Sequence, residues 1–501
     1  MSLLTGDAAD SCFVIMHKPR SISSAGFVLR TSHRVWSCAV SAALALLACV
    51  SVAAAATETV QGKLPDGTPY RIDMPDNWNG TLLVGLDYAS NDPAQPRPAR
   101  PEFDALLARG YALAGTTRAV TGWAIHLAAA NAVRVLDIFE AKYGKPKHAI
   151  EFGSSMGGHT AALSAQAYPD RWNAALPVCG GLAGSVGQWQ GKFDALFVAR
   201  TLLAPDSGLP IINIPADWQK TALPAWQNMF EAAKETPAGR ARIAVAAVIG
   251  QLPDWAVGKP RPAADDLDAR EAGLMENLFS ARMALLNQAL SSRSQIEKLS
   301  GGNISSNVGV DYAKVLQQID KEGLIARLYG KAGANLQEDL ARLAKAPRVQ
   351  ADAAARAYMA TGVFDGHLRI PVLTLNGIGD PISAVAGQQS YEEAAKSAGR
   401  VSMLRQAYTA SAGHCGFTPA EQVTAVQILV GRLETGAWPD TSAAGLTKAA
   451  VASGLGEARF IEFTPPVFAR AYSACDLARD LKSAGVSPVR AEGQALPACG
   501  K

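Results

Sequence analysis

His148-Ala149-Ile150-Glu151-Phe152-Gly153-Ser154-Ser155-Met156-Gly157-Gly158 runs from an apolar stretch into a tight, glycine-flanked turn. The residues that follow, Gly158 to Tyr168, read as a helix. A strand, a sharp turn and a helix with serine at the apex form the context of a nucleophile elbow, G-x-S-x-G. The outer glycines are expected because a bulky side chain would clash in so tight a turn. Ser155 is the candidate nucleophile. It has glycine two positions away on both sides, and Ser154 does not.

A serine nucleophile needs a base and an acid. Ile370 to Leu375 has the composition of a buried strand, and Asn376-Gly377-Ile378-Gly379-Asp380-Pro381 follows it. Met403 to Tyr408 reads as another strand and leads into Ser411-Ala412-Gly413-His414-Cys415. The candidates therefore occur in the order Ser155, Asp380, His414, each just past its own predicted strand. His414 would accept the Ser155 proton and return it to the leaving group, while Asp380 fixes the imidazole tautomer. The expected oxyanion donors are the backbone N–H of Met156 and one from the loop after Thr81 to Leu86, at Asp87 or Tyr88. Asp352 and Asp365 are rival acids, but neither follows a strand. His367 is a rival base. His126, His148 and His159 fit packing or capping roles.

Strand and helix alternate around these residues. Thr57 to Gln61, Tyr70 to Met74, Thr81 to Leu86, Tyr111 to Thr116 and Ala174 to Val178 read as strands, with Phe103 to Ala108 and Trp123 to Tyr143 as helices. That alternation predicts an α/β architecture: a mostly parallel sheet with helices on both faces. Residues 57–179 and 369–440 are the two expected parts of this core. Residues 180–368 break the rhythm with helical stretches such as Asp266 to Leu290 and Leu336 to Tyr358, and are expected to form a helical cap over the site. Residues 441–501 are a C-terminal extension with a further strand at Ala458 to Phe463.

With these pieces in hand, the chain from Thr57 to Pro439 resembles the secreted bacterial α/β-hydrolases of serine esterase and peptidase type. The resemblance rests on Asn79 to Leu83, Ala108 to Ala114, Gly153 to Gly158, Gly377 to Pro381 and Gly413 to Phe417. It implies Ser155, Asp380 and His414 as nucleophile, acid and base, in the order characteristic of that superfamily. A His-Gly pair usual after the third core strand is replaced here by Leu86-Asp87.

The 501 residues are 49% apolar and 18% charged, ample for a large core. A net charge of +3, with 47 basic and 44 acidic side chains scattered along the chain, gives no footprint for nucleic acid. A basic stretch before Val35, an apolar run to Val52 and Ala53-Ala54-Ala55-Ala56 read as a secretory leader over 1–56. Leu46-Leu47-Ala48-Cys49 also admits lipid attachment at Cys49. No stable membrane span is expected once the leader is removed. Four cysteines remain, and an exported chain favours two disulfides, Cys179 with Cys415 and Cys475 with Cys499. No C-x-x-C or H-E-x-x-H spacing supports a metal site, and the chemistry requires no cofactor. The expected activity is cleavage of moderate-sized or oligomeric carboxylic esters with an apolar or aromatic part. An aminopeptidase or amidase is the alternative, with Glu231, Asp265 or Glu276 holding a substrate amine. A binding protein on a hydrolase scaffold comes third.

Overall fold

Among the residues described by the computed structural model (57–92, 94–489 and 495–496), nine strands form one sheet. They are β1 (Thr57–Lys63), β2 (Pro69–Pro75), β3 (Thr81–Leu86), β4 (Ala112–Thr116), β5 (His148–Ser154), β6 (Ala174–Val178), β7 (Val372–Gly379), β8 (Leu404–Ala412) and β9 (Phe460–Ile461). Their spatial order is β1-β2-β4-β3-β5-β6-β7-β8-β9. The six strands from β4 across to β8 are mutually parallel. β1, β2 and β9 run antiparallel to their neighbours. The leader expected over 1–56, Cys49 included, lies outside the described residues.

A parallel sheet covered on both faces demands continuous apolar strands rather than alternating ones. β3 (TLLVGL) and β6 (AALPV) meet that demand and are buried throughout. One face is covered by α2 (Ile125–Tyr143), following α1 (Pro101–Ala108) in the chain, and by α3 (Met156–Ala167). α2 turns Ile125, Ala128, Ala129, Ala132, Val135, Leu136 and Phe139 inward, a helical stripe at three- and four-residue spacing. The other face is covered by α1 and the helix Pro419–Thr435. That last helix starts cleanly because Thr418 and Glu421 form a reciprocal capping box and Pro419 sits at the first helical position.

Between β6 and β7 lies a helical segment with its own core, opened by α4 (Gly184–Leu203). Trp226, Phe230 and Phe279 stack within it. Two expected long helices are each broken. Asp266 to Leu290 divides into Leu267–Met275, a wide turn Glu276–Ser280, and a new helix Leu285–Ser300. The Asn277 side chain donates to the carbonyls of Pro253 and Trp255, which anchors the wide turn. Leu336 to Tyr358 divides at Pro347, which lacks an N–H and holds Ala346 extended. The turn from Gly301 to Ser305 is held internally: Asn303 is buried and its amide donates to the Ser305 and Gln350 carbonyls.

The C-terminal extension braces the core. β9 is shorter than the strand expected there, but it pairs with β8. Arg459 just before it donates to the buried Glu421 carboxylate and to the Gly416 carbonyl, two residues past His414.

His159, one turn along α3, is fully enclosed. Its Nδ1 is 2.9 Å from the Gly181 carbonyl, and burial lowers its pKa from 6.5 to about 4. It is neutral in the fold and free to protonate when unfolded. Between about pH 6.5 and 4 the unfolded state therefore binds more protons, and stability falls as the pH drops through that window. Urea titrations of wild type and His159→Gln from pH 8 to pH 4 check this: the variant, with no proton to gain, is expected to show a flatter acid limb.

Candidate active site

Ser155 sits where β5 passes into α3, with φ 59° and ψ −118°. Non-glycine residues rarely adopt that left-handed backbone, and holding one there costs about 1–3 kcal/mol. The turn is fixed by the Ser155 N–H donating to the Val178 carbonyl and by Ser155 O accepting from His159 N–H. Gly153 and Gly158 are required by close approach: a Cβ on the first would fall 2.6 Å from Gly157 C, and one on the second 2.5 Å from Val178 O. The Ser155 side chain is only partly covered.

The three widely separated side chains meet. His414 Nε2 lies 2.7 Å from Ser155 Oγ. On the other side of the ring, His414 Nδ1 lies 3.0 and 2.9 Å from the two Asp380 carboxylate oxygens. Asp380 is buried, directly after β7. Its Oδ1 accepts from the Ile382 and Ser383 N–H groups at 2.8 and 2.9 Å, and its Oδ2 from Cys415 N–H at 3.4 Å.

Cys179, directly after β6, and Cys415 form a disulfide. It ties the base loop to the strand end beside the elbow. Both half-cystines have positive φ, 43° and 55°. Cys179, His414 and Cys415 lie close together, but the thiolates a metal would need are consumed in the S–S bond. Cys475 is also disulfide-bonded; its expected partner Cys499 lies outside the described residues.

Most of the other candidates have partners of their own. His367 pairs with Asp365 at 3.4 Å, exposed to solvent. Asp352 accepts from Asn303 N–H, and Glu231 pairs with Lys234 on the surface. Glu276 accepts from Val257 N–H at 3.0 Å.

Two features had no sequence signal. Trp255 and Val257, from the helical segment between β6 and β7, pack on Gly379 and Gly413 and leave little room for a Cβ at either. That segment therefore touches both the loop of Asp380 and the loop of His414. Beyond β3, Asp87 takes φ 63° and its carboxylate is held in a two-point ion pair by Arg118. The Arg118 guanidinium also reaches Met156 Sδ at 3.5 Å. Asp87 and Arg118 are partly exposed at the same sheet edge as the elbow. The Tyr88 phenol is turned away and donates to Asp73 at 2.5 Å, so only its main chain is left for an oxyanion role. Met156 opens α3, where a helix presents N–H groups without intrahelical partners.

A family model described as the Tannase-like family of unknown function (DUF6351) matches residues 62–395. The o-phthalyl amidase of Xanthobacter agilis is 34% identical over 434 residues, which is 80% of this chain and 93% of that protein. Feruloyl esterase B from Aspergillus oryzae matches structurally at 13% identity with a TM-score of 0.38, over 77% of this chain and 82% of that one. An esterase of Pyrococcus furiosus matches at 12% identity with a TM-score of 0.33, over 76% of this chain and 89% of that one. This chain belongs to the Tannase-like family of unknown function (DUF6351).

Proposed function

We propose that this protein is an exported serine hydrolase that opens carboxylic esters through an acyl-enzyme, with Ser155 as nucleophile, His414 as base and Asp380 as orienting acid. One observation carries the reading: a single imidazole lies within hydrogen-bond reach of the elbow hydroxyl on one nitrogen and of a buried carboxylate on the other. Ser155 Oγ attacks the acyl carbon as His414 Nε2 takes its proton. Asp380 holds the Nδ1–H and stabilises the imidazolium. The oxyanion is received by the Met156 N–H and by a main-chain N–H of the Asp87-Tyr88 turn; loss of one such donor lowers kcat by about 10²–10³. His414 then protonates the leaving group, and water resolves the acyl-enzyme by the same steps.

The segment between β6 and β7 acts as a cap, supported by the seating of Trp255 and Val257 on the acid and base loops. The disulfide agrees with an oxidising compartment. Amide cleavage by the same residues is a second reading, favoured by the 34% identical o-phthalyl amidase. The experiment that separates the two uses the purified protein, a fluorophosphonate probe and matched esters and amides of one acyl group, o-phthalyl included. Labelling of Ser155 with ester turnover well above amide turnover is expected. Amide turnover equal to or faster than ester turnover installs the second reading. Absence of labelling in folded protein removes both.

The disulfide carries its own expectation. A Cys179→Ser/Cys415→Ser double variant is expected to lose about 2–4 kcal/mol of stability. It should also lose at least several-fold in kcat, with KM less affected, because His414 is adjacent in sequence to the freed half-cystine. Chemical denaturation and steady-state kinetics on the same samples check both.

A further inference from the structure

A buried lysine without a carboxylate beside it is costly, since a charged ammonium removed from water needs compensation. Lys192 is such a group. It lies on α4, the first helix after β6, and is buried. Its Nζ donates to the Ile382 carbonyl at 2.7 Å and lies over the Trp189 ring, 5.3 Å from its centroid. Among the described residues no carboxylate comes within 4.0 Å of it. Ile382 is not an arbitrary partner. Its own N–H, with that of Ser383, donates to Asp380 Oδ1. One peptide plane away from the acid, the helical segment thus inserts a cation behind the carboxylate that holds His414.

The charged groups facing Lys192 are Asp380 from the acid loop and Arg293 from the helix Leu285–Ser300. Arg293 is offset by Glu297 at 3.5 Å. Asp194, on the same helix as Lys192, is already bound by Arg470 at 2.5 Å and by Tyr312 at 2.7 Å. Asp380 is therefore the anion left to compensate Lys192. Burial lowers the Lys192 pKa to about 8, with Asp380 opposing that fall.

We infer that Lys192 is a positioning residue for the reaction: it tethers the Asp380 loop through Ile382 and places a positive charge behind the carboxylate that holds His414. The inference rests on the triad reading above. It makes the helical segment a contributor to the proton relay, beyond any role in covering substrate.

Lys192→Met keeps the length of the side chain and removes both donor and charge; Lys192→Gln removes the charge and keeps a donor. Both variants in the full chain are expected to lower the rate of Ser155 phosphonylation by a fluorophosphonate. With an ester substrate, kcat should fall about tenfold or more in Lys192→Met with KM within about twofold. The deciding readout needs no turnover. In a Ser155→Ala background, the downfield Nδ1–H proton resonance of His414 reports the imidazole pKa. Removing a nearby cation is expected to raise it by about half a pH unit or more. An unchanged His414 pKa in folded Lys192→Met overturns the charge role, and unchanged kcat overturns the tether. If neither variant folds, the same resonance in the Ser155→Ala protein decides. It is expected to show a second, alkaline step as Lys192 loses its proton, and a single-step curve up to about pH 10 overturns the inference. Failure of every substrate screen alongside an intact Lys192–His414 coupling would remove the hydrolase reading alone.

Discussion

Ser155→Ala is expected to abolish hydrolysis and leave thermal unfolding almost unchanged. Removing the nucleophile of an acyl-transfer site lowers kcat by about 10⁶ where the rest of the site is intact. Stability should barely move, because alanine has the same Cβ and inherits the same backbone conformation at φ 59°. The hydroxyl is partly exposed and its hydrogen bond is to His414 alone, so little burial is lost. Ser155→Gly separates the two consequences. It should be equally inactive, but it relieves the left-handed backbone and is expected to unfold at a higher temperature, by up to about 1 kcal/mol. Residual wild-type turnover in Ser155→Ala would falsify the nucleophile assignment. A lower melting temperature in Ser155→Gly would show that the elbow is not under backbone tension.

Asp380→Asn is expected to lower kcat by about 10⁴. The surroundings of the carboxylate decide how asparagine would sit. Oδ1 accepts from two main-chain N–H groups, of Ile382 and Ser383, so the amide oxygen must take that place. The NH₂ group then faces His414 Nδ1 as a donor. The imidazole is forced to carry its proton on Nε2, pointing at Ser155, and can no longer accept from it. Fold and disulfide are expected to survive, so circular dichroism should be unchanged while kcat falls. Activity within tenfold of wild type in a folded variant would remove Asp380 from its assigned role.

The meeting of Ser155, Asp380 and His414 was legible because each follows a strand and lies in or beside a short glycine-containing turn. β5 ends at Ser154, β7 at Gly379 and β8 at Ala412, so each candidate lies within two residues of a strand end. The Cys179–Cys415 pairing was legible for the same reason. Where the sequence misled, distant partners decided. The periodicity of Asp266 to Leu290 cannot reveal that Asn277 is bound to Pro253 and Trp255. Tyr88 gave no sign that its phenol belongs to Asp73. Lys192 carries no motif of its own, and only the fold shows it bound to Ile382 beside Asp380. Arg118 was invisible for want of any motif linking it to Asp87 across 31 positions.

The Cys179–Cys415 bond joins residues 236 positions apart, and the whole helical segment lies between them. Those helices are consequently enclosed in a covalent ring. A protease that nicks an exposed stretch such as 257–266 cuts the ring open without releasing either fragment. Nicked molecules would still migrate as one species until a thiol is added. Their two fragments would stay joined after damage that would separate the pieces of an unstapled chain.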